Sequence, residues 1–301
     1  MSGPIIIHTD DYANWVFDEH HPTQGRRFIN GFHAVMMNLH DKNRWNFTPP
    51  LQLLPRLATV AELRLAHTDD YITEVTKRHE CYEWDGQRPD LAELAQRFVG
   101  GTLIALEMLL DGHTTLAVHL PGAKHHAQAD QSSGFCVFAD FAIAAKIAND
   151  AGERVAILDV DAHHGDGTEN LLYENRDILT FSVHQIGIFP GTGLSDIAEH
   201  NVYNHPLDAG SDDWHLYQGV KRFLTLCEEF KPTIIFVAGG ADGLHNDPLT
   251  GLKYTISGME DALGRVRHQY PHIPILMGGA GGYQPDGGTP LAWGAMAGAL
   301  S

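Results

Sequence analysis

The chain has 301 residues, 43% of them hydrophobic, a length that suits one large α/β domain or two small ones. Its 38 acidic against 20 basic side chains give a formal net charge of −18, which repels a phosphate backbone and argues against nucleic acid as a direct ligand, while favouring cationic substrates and metal ions. Three cysteines, Cys81, Cys136 and Cys227, show no CxxC spacing, so neither a disulfide framework nor a thiolate zinc site is expected and a reducing cytoplasm fits.

In chain order, the first apolar run is Ile5–Ile7, with no basic segment ahead of it, so no secretory signal is expected. No stretch approaches the roughly 20 apolar residues of a membrane-spanning helix, and no membrane role is expected. Further short apolar runs follow at Thr115–Val118, Val155–Val160, Ile178–Val183, Thr233–Val237 and Ile273–Met277, several rich in β-branched residues. These read as buried parallel strands. Segments of helical length and period lie between them, at Ala92–Leu110, Ala139–Asn149, Leu216–Phe230 and Ser257–Gln269. The alternation implies βαβ units wound into one open parallel sheet with helices on both faces. No linker, low-complexity tract or internal repeat divides the chain, so residues 1–301 read as a single catalytic domain. Glycine clusters follow three of the runs, at Gly187/Gly191/Gly193, Gly239/Gly240/Gly243 and Gly278/Gly279/Gly281/Gly282. Ligands of open α/β sheets bind outside the carboxyl ends of the strands, so these loops should converge on one crevice.

The densest chemistry is ILDVDAHHGDG, residues 157–167. In an extended chain Asp159, Asp161 and His163 share a face at i, i+2 spacing, so Asp161 and His163 can grip one ion as the strand runs out. Asp242, just after IIFVAGGA, is a second carboxylate in a comparable place. Two carboxylates and one imidazole with open positions describe a catalytic metal site. The pair His125 and His126 follows the Thr115–Val118 strand; an imidazole beside a metal can move a proton, provided a carboxylate orients it, and Asp159 and Asp166 are at hand. A similar pair, His20 and His21, is given no catalytic role. Tyr283, after GGAGG, is placed to donate to an oxygen that gains charge.

Taken together, the ordered segments HPTQGRRF, LAHTDDYI, GAKHH, SGFCVFAD, LDVDAHHGDGT, FSVHQIGIFPGTG, GGADGLHNDPL and GGAGGYQ resemble the histone deacetylase and acetylpolyamine amidohydrolase superfamily, over nearly the whole chain. That resemblance implies an arginase-like α/β fold and a zinc-dependent hydrolase that removes an acetyl or other short acyl group from an N-acylated amine. It makes Asp161, His163 and Asp242 the ligands of one zinc ion, a set that also accepts iron(II) or cobalt(II). It places Asp159 behind His125, Asp166 behind His126, and Tyr283 as the carbonyl-polarising phenol. Gly134, Phe135, Phe189 and Leu249 would line a narrow slot for the acylated amine. A structural potassium ion would lie at Asp159, Ser182 and the backbones of Asp161, His163 and Val183. Arg27 matches an arginine lining a cavity behind the site, although the residues alone read as a surface charge at a helix start. Asp85 is the position for a substrate-gripping aspartate, through a segment, CYEWDGQRPD, that aligns poorly. Lys124 and His164 receive no role.

Two other readings compete. A ureohydrolase with two manganese ions needs further carboxylates where this chain has Gly165 and Leu244. A catalytically silent binder of acylated amines would not need the full set of proton-transfer residues. No long insertion separates Arg27 from AHTDDY to build a dimer-restricted channel of the polyamine type. The sequence ranks neither acetyl-lysine nor a small acetylated amine as substrate, and leaves an oligomer open.

Overall fold

The computed structural model describes residues 3–42 and 49–301. Residues 43–48, within the connection that carries no long insertion, lie outside the described residues. Eight strands form one wholly parallel sheet: β1 (Ile5–Ile7), β2 (Leu51–Leu53), β3 (Leu116–His119), β4 (Val155–Asp159), β5 (Ile178–Gln185), β6 (Val202–Leu207), β7 (Ile234–Ala238) and β8 (Ile275–Gly278). Their order is β2-β1-β3-β8-β7-β4-β5-β6. The helices are α1 (Arg26–Lys42), α2 (Val60–Leu63), α3 (Asp69–Thr73), α4 (Pro89–Leu110), α5 (Asp140–Asp150), α6 (Asp166–Leu172), α7 (Asp213–Phe230), α8 (Ile256–Gln269) and α9 (Gly288–Ala299). One layer runs α7-α8-α9-α1 in successive contact, and the other holds α4, α5 and α6. Both press on the central strands, so β4, β5, β7 and β8 are buried at every residue, which is why they read as unbroken apolar runs.

The six expected strands and four expected helices are all present, with ends shifted by at most three residues. Two strands went unforeseen, and both are edges. β2 is largely exposed; β6, VYNHPL, is only half-buried and contains Pro206, which an edge tolerates because one side needs no ladder hydrogen bond. Helix α9 was also missed. Its sequence, GTPLAWGAMAGA, interrupts its alanines with three glycines and a proline and is buried nearly throughout, so it shows no amphipathic period.

The sheet order sets the site. The chain passes from β3 to β4 across two strand positions later filled by β8 and β7, which makes a switch point among β3, β8, β7 and β4. The loops leaving these four neighbouring strands and β5 all open at their carboxyl ends. Trp293 of α9 fastens two of them from below: its fully buried indole N–H donates to Gly239 O at 3.0 Å and Gly279 O at 2.9 Å. Trp293→Ala should therefore cost about 3–5 kcal/mol, the usual loss for a buried large aromatic, with two carbonyls orphaned as well. Urea unfolding should show a lower midpoint with an unchanged slope.

Candidate active site

The loop after β4 begins where the strand's hydrogen bonding ends. Asp159 is the last residue of β4, and its Oδ1 accepts the Asp161 N–H at 3.0 Å, turning the chain so that Asp161 and His163 face the crevice. The Asp161 carboxylate accepts the N–H groups of His163 (2.9 Å) and Gly281 (2.6 Å), and Asp242 accepts that of Ala162 (2.9 Å). Backbone donors thus fix both carboxylates before any ligand arrives. The His163 Nδ1 stands 2.8 Å from Asp242 Oδ2 and 3.1 Å from Asp161 Oδ1. One donor atom from each of Asp161, His163 and Asp242 falls within 4.8 Å of the others, all three residues are buried, and among the described residues they form the sole such group. The approach is so close that a Cβ at Gly281 would lie 2.5 Å from both Asp161 Oδ2 and Asp242 Oδ2.

These donors fit a divalent metal. Two carboxylates with no exposure at all have no lysine or arginine within ion-pair distance among the described residues, so the cluster is short of positive charge. The titration behaviour has the same cause. Burial alone would lower His163, yet hydrogen bonds to Asp161 and Asp242 hold it up at about 11, where its proton acts as the local cation. Burial and repulsion from Asp161 push Asp242 up to about 7.

The tandem histidines come from the loop after β3. His126 Nδ1 lies 2.7 Å from Asp166 Oδ1, and Gln128 Nε2 donates to the other oxygen of that carboxylate at 3.0 Å. His125 Nδ1 lies 2.7 Å from Asp159 Oδ2, with its Nε2 3.8 Å from Asp161 Oδ1. The two imidazoles differ in charge. Burial and the neighbouring His125 lower His126 to about 4, whereas in His125 the attraction of Asp159 and Asp161 outweighs burial and raises it to about 9. Asp140 underpins the pair: this fully buried carboxylate accepts the N–H groups of Ala123 (3.0 Å) and Lys124 (2.7 Å), immediately before His125.

The slot residues also come together. Gly134, Phe135, Phe189 and Leu249 line a slot of about 370 Å³ with His126, His163 and Tyr283; His125 does not line it. Burial and the two carboxylates Asp242 and Asp161 raise the Tyr283 hydroxyl well above its ordinary value, so it stays a donor at neutral pH. Asp159 and Ser182 are paired across β4 and β5, beside buried Val183, and Ser182 Oγ is 2.9 Å from His184 Nδ1.

Several positions differ from the sequence expectation. Arg27 is no surface charge: it is 2% exposed, lies 5.7 Å from the Tyr283 ring and donates to Gly282 O at 2.8 Å. Asp85 is exposed and does not line the slot; Glu83, two residues earlier, does. His21 packs edge-on against Phe135 with ring centroids 4.5 Å apart, so one of the two residues in the non-catalytic pair braces the slot wall. Lys124 is buried against Phe98, Phe28 and Trp15, and burial lowers it to about 8. His164 ties α6 to the loop after β5, 3.0 Å from Glu169 Oε2 and 2.8 Å from Thr192 Oγ1. The two positions that would carry extra carboxylates for a metal pair are closed to them: a Cβ at Gly165 would lie 2.5 Å from Asp159 Oδ2, and Leu244 is in the core.

Asp247 was missed altogether. Its buried carboxylate accepts the Tyr283 N–H at 2.9 Å and the Leu249 N–H at 3.0 Å, holding the phenol's backbone and one slot wall together. Its only sequence signal is an aspartate five residues beyond Asp242. Asp247→Ala should lower kcat about 10- to 100-fold, the usual cost of losing a group that orients site residues, while metal content stays at the wild-type level.

The histone deacetylase domain matches residues 21–300. The acetoin utilization protein AcuC of Bacillus subtilis (strain 168) is 32% identical, over 97% of this chain and 81% of that protein. Histone deacetylase 8 of Xenopus laevis is 33% identical, over 76% of each. The crystal structure of the HDA15 HD domain superposes with a TM-score of 0.85 at 21% identity, covering 99% of this chain and 88% of that one, which establishes the shared fold. Among the described residues no helix is long and apolar enough to cross a membrane. With a matching domain over nearly its whole length and relatives of this identity, the chain belongs to the histone deacetylase family, whose members are metal-dependent hydrolases.

Proposed function

We propose that this deacetylase removes an acetyl or other short acyl group from an N-acylated amine held in the slot, and that residues 1–301 act as one catalytic domain. The observation that carries the reading is convergence: a buried cluster of two carboxylates and an imidazole, a carboxylate-backed histidine and a phenol all border one slot. Zinc held by Asp161, His163 and Asp242 would polarise the amide carbonyl and lower the pKa of water from about 15.7 toward 7. The same donors accept iron(II) or cobalt(II).

His126 is the general base and acid. Its Nδ1–H donates to Asp166, which leaves Nε2 to take a proton from the attacking water and return it to the amine nitrogen as the C–N bond breaks. His125, outside the slot and held charged by Asp159 and Asp161, acts through its field. The Tyr283 hydroxyl donates to the amide oxygen as that oxygen gains charge. The products are a free amine and a carboxylate. A structural potassium ion at Asp159, Ser182 and the backbones of Asp161, His163 and Val183 is supported by the pairing of Asp159 with Ser182. Three free, buried cysteines support a reducing, cytoplasmic setting.

The test is a panel of acetyl-lysine peptides, small acetylated amines and longer acyl chains, each run with and without a hydroxamate chelator. Hydrolysis of at least one class, abolished by the chelator, is expected. Turnover that survives the chelator, or its absence across the whole panel with metal bound, would overturn the assignment.

A further inference from the structure

Two buried imidazoles take no part in the chemistry proposed above. His164, in the loop after β4, and His184, in β5, are 2% and 1% exposed, and their rings lie side by side with centroids 4.7 Å apart. Both grip the loop that follows β5. His184 Nε2 donates to Gly193 O, which can only accept, at 3.0 Å, and His164 Nδ1 is 2.8 Å from Thr192 Oγ1. Gly193, at φ +74°, presses against both rings: a Cβ there would lie 2.5 Å from His164 Cδ2 and 2.7 Å from His184 Cε1. The other nitrogen of each ring is fixed by the scaffold. Glu169 Oε2 of α6 accepts from His164 Nε2 at 3.0 Å, and Ser182 Oγ of β5 is 2.9 Å from His184 Nδ1. Asn204 of β6 joins the frame, donating to the same Glu169 oxygen at 3.0 Å and to Ser195 O at 3.1 Å.

The gripped loop is the one that carries Phe189. Ile186, Phe189 and Leu194 are 38%, 50% and 66% exposed, so the loop has little packing of its own to keep it in place. Yet Phe189 stands edge-on to His126, with ring centroids 4.9 Å apart, and so near Gly134 that a Cβ there would lie 2.9 Å from Phe189 Cε1. A wall held that close to the proton-transfer group needs a support. The hydrogen bonds at Thr192 and Gly193, a few residues beyond Phe189, supply it. Resting on the deacetylation reading above, we infer that His164 and His184 are positioning residues: by gripping Thr192 and Gly193 they hold Phe189 against His126, set the width of the slot, and favour an unbranched chain on the acylated nitrogen. Two imidazoles suit this task because each is a rigid plate with a polar atom at either end, one for the scaffold and one for the loop. All four ring nitrogens have partners, and a buried network satisfied in this way stiffens whatever it holds.

The test uses the metal-loaded full chain and Thr192→Val, which removes only the hydroxyl that meets His164, with Thr192→Ser as the variant that keeps it. Gly193→Ala, which drives a Cβ into both rings, is the stronger disruption. Substrates are N-acetyl hexylamine and a branched isomer of it, and the ratio of kcat/KM for the straight over the branched chain is read within each variant, so a partly folded preparation cancels. The wild type should favour the straight chain at least about tenfold. Thr192→Val should raise KM for the straight chain about three- to tenfold, the range of one lost hydrogen bond, leave kcat within about twofold, and shrink the ratio by a similar factor. Thr192→Ser should keep the wild-type ratio, and Gly193→Ala should bring it near unity. In a Phe189→Ala background Thr192→Val should change nothing further, because the wall it positions is gone. A wild-type ratio near unity, a ratio unchanged in Thr192→Val, or effects of Thr192→Val and Phe189→Ala that simply multiply would overturn the inference. So would loss of metal in Thr192→Val, which would place the contact behind the metal loop instead. Calorimetric binding of a straight and a branched alkyl hydroxamate reads the slot without turnover. The same pattern of binding preferences with no hydrolysis by any variant would fault the deacetylation reading alone, and a binding preference untouched by Thr192→Val would fault the role of the two histidines.

Discussion

Tyr283→Phe is expected to lower kcat for an acetyl amide about 100- to 1,000-fold while metal content stays at the wild-type level, because it removes one oxyanion donor and nothing that holds the metal. The structure gives this expectation three supports. The hydroxyl belongs to a residue that lines the slot with His126 and His163, its burial beside Asp161 and Asp242 keeps it protonated, and its backbone is fixed by Asp247. Phenylalanine fills the same volume and keeps the edge-to-face contact with Phe135, so folding should be spared. A KM that hardly moves with a fallen kcat would place the lost interaction in the transition state. Wild-type turnover in this variant, measured by acetate release, would remove Tyr283 from the chemistry.

Asp242→Ala should act one step earlier, by emptying the metal cluster. The residue supplies one of two carboxylates in a three-residue set, and its Oδ1 also accepts the Ala162 N–H, so the substitution takes away a charge and loosens the loop that carries His163. Metal per chain, read by elemental analysis after dialysis, should fall from near one to below about a tenth, with turnover falling in proportion. Unchanged metal content would exclude Asp242 from the ligand set. The two variants separate roles that activity alone cannot: one loses chemistry with metal in place, the other loses both.

Much of this was legible in the sequence because burial on both faces leaves a plain mark. Strands β3, β4, β5, β7 and β8 lie in the sheet interior and appear as short continuous apolar runs, and polar residues stand out where such runs stop. Asp161, His163 and Asp242 were visible for that reason, as charged groups at the ends of buried strands. Edges blur the same signal: β2 and β6 face solvent on one side and read as mixed loop, while α9, interrupted by glycines and a proline and buried nearly all round, shows no amphipathic period. Glu83 and Asp247 were illegible for another reason. Glu83 reaches the slot only because a four-residue turn packs against the loop of Ser132, and Asp247 matters only through hydrogen bonds to backbone N–H groups at Leu249 and Tyr283. No spacing encodes either contact. Arg27 shows the converse, since a basic residue at a helix start looks like a surface charge until α9 and the Gly282 loop close over it.

On the proposed mechanism one metal ion at Asp161, His163 and Asp242 serves an amide hydrolysis carried through by His126 and Tyr283. The most direct test strips the purified chain of metal with a chelator, then titrates zinc back while free amine and carboxylate released from an N-acetylated amine are followed together. The stripped protein should show no turnover, zinc should restore it in a linear rise that saturates at one equivalent per chain, and amine and acetate should appear in equal yields. Turnover that survives stripping, or a rise that saturates only at two equivalents, would contradict the mechanism.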